Sequence, residues 1–101
     1  MTIYVQFYII VVMAFDINFN EEKNQLLKAT RGIGFDEVIS AIHAGSVLAD
    51  IAHPSKSRPN QRLYVIRIKE YAYAVPYVMN IKKNEIFLKT AYASRALTKN
   101  I

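Results

Sequence analysis

The sequence predicts an α+β domain, with two helices packed on an antiparallel sheet of four to five strands and a short C-terminal helix. Three observations carry this. Helical periodicity is confined to residues 20–45. From there to residue 92 the chain is a run of β-branched and aromatic segments separated by turns. Its 101 residues are enough for one hydrophobic core and not for two. An apolar share of 52% against 21% charged residues is the balance of a globular chain.

The elements follow in order. Residues 1–13 are apolar and uncharged, and read as an N-terminal extension or an extra strand ahead of a single domain over 14–101. Asp16 arrives before the ~20 apolar residues a membrane span needs, and no basic residues precede the run as in a signal peptide. Phe15-Asp16-Ile17-Asn18-Phe19 alternates with the period of a half-buried strand. Asn20 reads as a helix N-cap, with Glu21 and Glu22 in the first turn where the dipole favours carboxylates. This helix carries Leu26 and Leu27 inward and ends at Gly32, suited to the left-handed C-terminal position. Phe35, Val38, Ile39 and Ile42 stand at i, i+3, i+4 and i+7, a second amphipathic helix closed by Gly45. Val47–Ile51 is a strand, and residues 53–60 form a polar loop bracketed by Pro54 and Pro59. Arg62–Ile68 and Tyr71–Met79 pair about a turn at Lys69-Glu70, and Pro76 demotes part of the second to an edge or a bulge. Glu85–Tyr92 is the last strand. Ser94 caps a short tail helix.

Composition narrows the chemistry. With no cysteine there are no disulfides, thiolate metal ligands or cysteine nucleophiles, and two histidines, His43 and His53, cannot build a histidine-rich zinc centre. No metal site and no cofactor is therefore expected. Residues 1–52 hold six acids and three bases, a net of −3, whereas residues 53–101 hold ten bases and two acids, a net of +8. So basic a half suggests a polyanionic partner, nucleic acid first and acidic protein second.

The run Asn20-Glu21-Glu22-Lys23-Asn24, then Leu27, Arg31-Gly32-Ile33 and Phe35-Asp36-Glu37-Val38, resembles the BrnT-like toxins of bacterial type II toxin–antitoxin modules. The later stretch agrees: His53-Pro54, Pro59-Asn60-Gln61-Arg62, Val75-Pro76-Tyr77, Phe87-Leu88-Lys89-Thr90, Ser94-Arg95 and Lys99. The resemblance spans Phe15 to Lys99. It implies a RelE-like fold and a cytoplasmic, metal-independent endoribonuclease. The implied substrate is mRNA, on or off the ribosome, and the implied inhibitor is a small DNA-binding antitoxin.

Metal-free RNA cleavage needs a group to take the ribose 2′-hydroxyl proton, cations for the charged phosphorane and a proton donor for the leaving oxygen. Arg95, Lys89 and Arg62 are the expected charge stabilisers, provided the sheet gathers them onto one concave face. Arg is favoured because its planar fork binds two phosphate oxygens. Ion pairing with Asp50, Glu70 or Glu85 is the alternative role of each. His53, in a polar loop, is the candidate for proton transfer. Lys56, Arg58 and Lys99 are expected on the RNA backbone. Tyr71, Tyr73 and Tyr77 share one strand face, with Tyr64 beside them. Stacking on bases would contribute about 1–3 kcal/mol each, and core packing is the competing use of these rings. A non-catalytic RNA- or DNA-binding module, or a module that only receives an acidic antitoxin, remains the alternative function.

Overall fold

Alternation in Asp16–Phe19 gives strand β1, and Asn20 then turns the chain into helix α1, Glu21–Arg31. The Asn20 side chain accepts the Lys23 N–H at 2.9 Å, which makes it the expected cap. Gly32 ends the helix at φ 70°, the left-handed conformation that a Cβ disfavours. Helix α2, Phe35–His43, follows after a tight corner. The strands are β2, Val47–Ala52; β3, Arg62–Ile68; β4, Tyr71–Asn80; β5, Glu85–Leu88; and β6, Tyr92–Ala93. Helix α3, Arg95–Thr98, is capped by the Ser94 hydroxyl, which accepts the Leu97 N–H at 3.2 Å. The structure is a computed structural model in which residues 15–99 are described. The reading of residues 1–13 as an extension or extra strand lies outside the described residues.

The strands form one sheet in the order β1-β5-β4-β3-β2, with β6 beside β4. The fold is α+β, as expected, but the sheet is mixed. Neighbours pair antiparallel except β1 and β5, which run parallel from Asp16 opposite Glu85 to Phe19 opposite Leu88. Chain order does not specify this pairing, because five other elements separate β1 from its neighbour in the chain.

Two local expectations need correction. Leu27 is buried, whereas Leu26 is 53% exposed, because 100° of helix rotation carries it off the inward stripe. Pro76 stands buried inside β4, a strand with neighbours on both sides. The sheet accepts it because of how β4 alternates. Ala72 and Pro76 turn their carbonyls away from β3, accepting from the N–H groups of Ser94 and Lys89 at 2.9 and 2.8 Å. The N–H that proline lacks would point the same way, into the gap where residues 89–91 separate β5 from β6. The single last strand expected over Glu85–Tyr92 is accordingly two short ones.

The core lies between the two long helices and one sheet face: Leu27, Phe35, Val38 and Ile42 pack on Tyr64, Ile66, Val75, Tyr77, Ile86 and Leu88. Asn24 is the one buried polar residue among those described, and its Oδ1 accepts the Phe35 N–H at 2.7 Å. It thereby caps α2, whose own N-cap, Gly34, supplies no side-chain bond. A Cβ on Gly34 would come within 2.7 Å of that same oxygen and 2.6 Å of Lys28 Cε, so the close approach of the helices requires glycine there.

Candidate functional site

The register of β2, β3 and β4 assembles one polar cluster at the end of the sheet. Asp50 stands opposite Tyr64, Tyr64 opposite Val75, and Arg62 opposite Tyr77, so Asp50, Tyr64, Arg62 and Tyr77 share the helix-covered face. Arg62 Nε donates to Asp50 Oδ1 at 3.1 Å and to the Tyr77 hydroxyl at 3.2 Å, while Nη2 donates to the Asp50 carbonyl at 3.1 Å. The Tyr77 hydroxyl donates to Asp50 Oδ1 at 2.7 Å. Burial first, and then this bond to Asp50, push the Tyr77 phenol far above its ordinary range, so it stays protonated as a donor. The Tyr77 hydroxyl, and then Asp50, hold Arg62 above its ordinary value. The Arg62 side chain remains 46% exposed. One edge of the guanidinium is therefore fixed while the group stays open to solvent.

The loop between β2 and β3 leaves from this end of the sheet and is closed by its own bonds. His53 N–H donates to the Gln61 carbonyl, Arg58 N–H to the Ser55 carbonyl and Gln61 N–H to the Arg58 carbonyl, each at 3.1 Å. His53 Nδ1 accepts the Ser55 N–H at 3.1 Å, which in the neutral ring leaves the proton on Nε2. Lys56 and Arg58 are exposed on the same loop. Arg62, His53, Lys56 and Arg58 thus belong to one end of the molecule.

The other predicted groups lie elsewhere. Lys89 follows β5, with its ammonium 5.4 Å from the centre of the Phe87 ring. Phe87 alternates with the core residues Ile86 and Leu88, so Lys89 lies on the sheet face opposite Arg62. Arg95 opens α3, anchored where Ser94 N–H meets the Ala72 carbonyl. That anchor is five residues from Tyr77, about 17 Å along β4. Lys99 ends the same helix. The expected concave face joining Arg62, Lys89 and Arg95 is therefore not formed, because strand alternation and the length of β4 separate them. Tyr64 and Tyr77 stack on each other, with centroids 3.9 Å apart and planes 10° apart, and are 1% and 0% exposed. Core packing has taken both rings, and neither offers a face to a base. Tyr73, half-buried, meets Tyr71 edge-on in an open cleft of about 440 Å³ shared with Ile68, Lys69, Glu70 and Ala93.

Sequence reasoning missed Tyr77 as a donor to Asp50, and passed over Lys82 and Lys83 in the turn beyond β4. The alternation of Tyr71, Tyr73 and Tyr77 gave the face of Tyr77 but not its cross-strand partners. Among the described residues, no three of His, Asp and Glu converge to hold a metal ion, and no helix is long and apolar enough to cross a membrane. Compared with known proteins, the chain matches no family model, no curated sequence and no solved structure.

Proposed function

We propose that this chain is the toxin of a type II toxin–antitoxin module, a cytoplasmic metal-independent endoribonuclease of RelE-like fold, silenced by a cognate antitoxin. The ordered motifs from Phe15 to Lys99 and the α+β architecture support the family. The observation that carries the chemistry is Arg62, edge-fixed by Asp50 and Tyr77 yet open to solvent beside the His53 loop. In this reading the ribose 2′-hydroxyl attacks the adjacent phosphate, leaving a cyclic phosphate and a 5′-hydroxyl. Arg62 stabilises the phosphorane, His53 Nε2–H donates a hydrogen bond to the leaving 5′-oxygen, and water takes the 2′-hydroxyl proton and returns one to that oxygen. A guanidinium already oriented loses less freedom when it meets its anion.

Induction of the chain without an antitoxin in growing bacteria tests this. Growth arrest with cleaved mRNA is expected, and Arg62→Lys is expected to abolish both, since an ammonium cannot hold Asp50 and a phosphate in one plane. Normal growth with intact mRNA would remove the reading.

The second reading, a non-catalytic binding module, is favoured by the same Arg62–Asp50 ion pair at 3.1 Å, which already occupies the guanidinium. Tight RNA binding by the purified chain without cleavage would select it.

A further inference from the structure

Arg62 and His53 account for part of the cationic end of the sheet; beside them stand four more exposed cations, Lys56 and Arg58, already expected on the RNA backbone, and Lys82 and Lys83, so far without a role. We infer that this end, carrying loop 53–61 and turn 81–84, binds the sugar-phosphate backbone of single-stranded RNA through Lys56, Arg58, Lys82 and Lys83, with Arg62 as the anchored contact. The inference rests on the RNA reading above and specifies where on the molecule the strand runs.

Topology brings these cations to one place. β2 ends here at Ala52, β3 begins here at Arg62, β4 ends here at Asn80 and β5 begins here at Glu85. The loop and the turn therefore leave from strands that are neighbours in the sheet, spaced about 5 Å apart. Both are closed by their own bonds. Loop 53–61 is held by the backbone bonds from His53 to Gln61, Arg58 to Ser55 and Gln61 to Arg58. In the turn, Asn80 Oδ1 accepts the Lys83 N–H at 3.2 Å, and Asn84, at φ 50°, donates its N–H to the Ile81 carbonyl at 3.2 Å. The backbones presenting these cations are thus held in shape, while Lys56, Arg58, Lys82 and Lys83 themselves are exposed.

The charge is one-sided. From Ile51 to Asn84 the chain holds seven bases, five of them (Lys56, Arg58, Arg62, Lys82 and Lys83) at this end, while Arg67 and Lys69 lie at the opposite end of the sheet with the single acid, Glu70. Neither loop 53–61 nor turn 81–84 contains an acid. Of the carboxylates at this end, Asp50 holds Arg62 and Tyr77, and Glu85 accepts from Asn18 Nδ2 at 2.7 Å; Asp16 opens β1, beyond β5. The rival patch, Arg95 and Lys99, lies on a helix of four residues at the end that carries Glu70. Surface Lys and Arg with no base-reading geometry recognise phosphate irrespective of sequence, and their affinity falls steeply with salt.

The test titrates the full chain with a fluorescent, fully 2′-O-methylated oligouridine, which cannot be cleaved, across a range of salt concentrations. The variant Lys56→Ala/Arg58→Ala/Lys82→Ala/Lys83→Ala is expected to weaken binding at least about tenfold. It should also flatten the log–log salt slope by about 3, near 0.7 for each phosphate contact. Arg95→Ala/Lys99→Ala should change affinity by less than about twofold. A second variant exchanging Lys for Arg and Arg for Lys at the same four positions should keep wild-type binding, which separates lost charge from lost fold. Loss in the α3 variant with retention in the turn variant overturns the inference. So does wild-type binding that neither variant alters, and the RNA reading then still stands. No binding by the wild-type chain at any salt removes the RNA reading itself.

Discussion

Two side-chain amides, Asn24 and Gln61, show how differently a polar group can enter this fold. Asn24 is 1% exposed, yet its oxygen caps the Phe35 N–H at 2.7 Å and its nitrogen reaches Glu21 Oε1 at 3.4 Å. Asn24→Ala would leave the Phe35 N–H buried without a partner, at a cost of about 1–3 kcal/mol. The Gln61 side-chain oxygen is buried with no hydrogen-bond partner among the described residues, so there that group has been desolvated without return. Gln61→Met, of similar volume, is expected to be neutral or mildly stabilising by the same asymmetry. Urea midpoints of the two variants check both signs. Equal destabilisation would mean that burial alone, and not pairing, governs these amides.

Elements whose determinants are local are the ones the sequence discloses. Asn20, Gly32 and Ser94 act within three residues of the termini they govern, and each performs the expected capping role. The loop bracketed by Pro54 and Pro59 is likewise where its composition puts it. What could not be read depends on partners distant in the chain. The parallel pairing of β1 with β5, the split of β5 from β6 opposite Pro76, and the hold of Asp50 on Tyr77 all require the register first. For the site, Arg62 and the His53 loop were legible as chemistry, whereas the separation of Arg62 from Lys89 and Arg95 follows from alternation and strand length. The attachment of α3 is another such long-range device. Thr98 Oγ1 accepts the Ala72 N–H at 3.0 Å and donates to the Ser94 carbonyl, so a hydroxyl continues the edge of β4 past the end of β6. Thr98→Val keeps the shape and removes both bonds. Exchange of the Ala72 amide should accelerate at least about tenfold, while the Ile66 amide in the core is unchanged. Uniform acceleration would show that α3 is part of the global unfolding unit instead of a separately opening element.

At the scale of the whole molecule, the Asp50–Arg62–Tyr77 cluster joins β2, β3 and β4 through one buried phenol, which couples global stability to pH. Tyr77 holds its proton in the folded chain well beyond its ordinary value of 10.0, because the phenolate would be buried beside Asp50. Below about pH 10 both folded and unfolded chains keep this proton, and its contribution to stability is fully present. Above that point the unfolded chain releases the proton while the folded chain cannot, so the folded state binds more protons and stability falls as pH rises. The slope approaches about 1.4 kcal/mol per pH unit for one group. Chemical-denaturation midpoints should therefore hold steady from pH 7 to about pH 10 and then decline. Tyr77→Phe, which has no proton to lose, should start from a lower midpoint because Asp50 loses a donor, and should then lack the part of the alkaline decline that Tyr77 contributes. If the Phe variant declines as steeply as the wild type, the alkaline limit of this fold lies elsewhere, and the cluster orients Arg62 without setting the stability of the sheet.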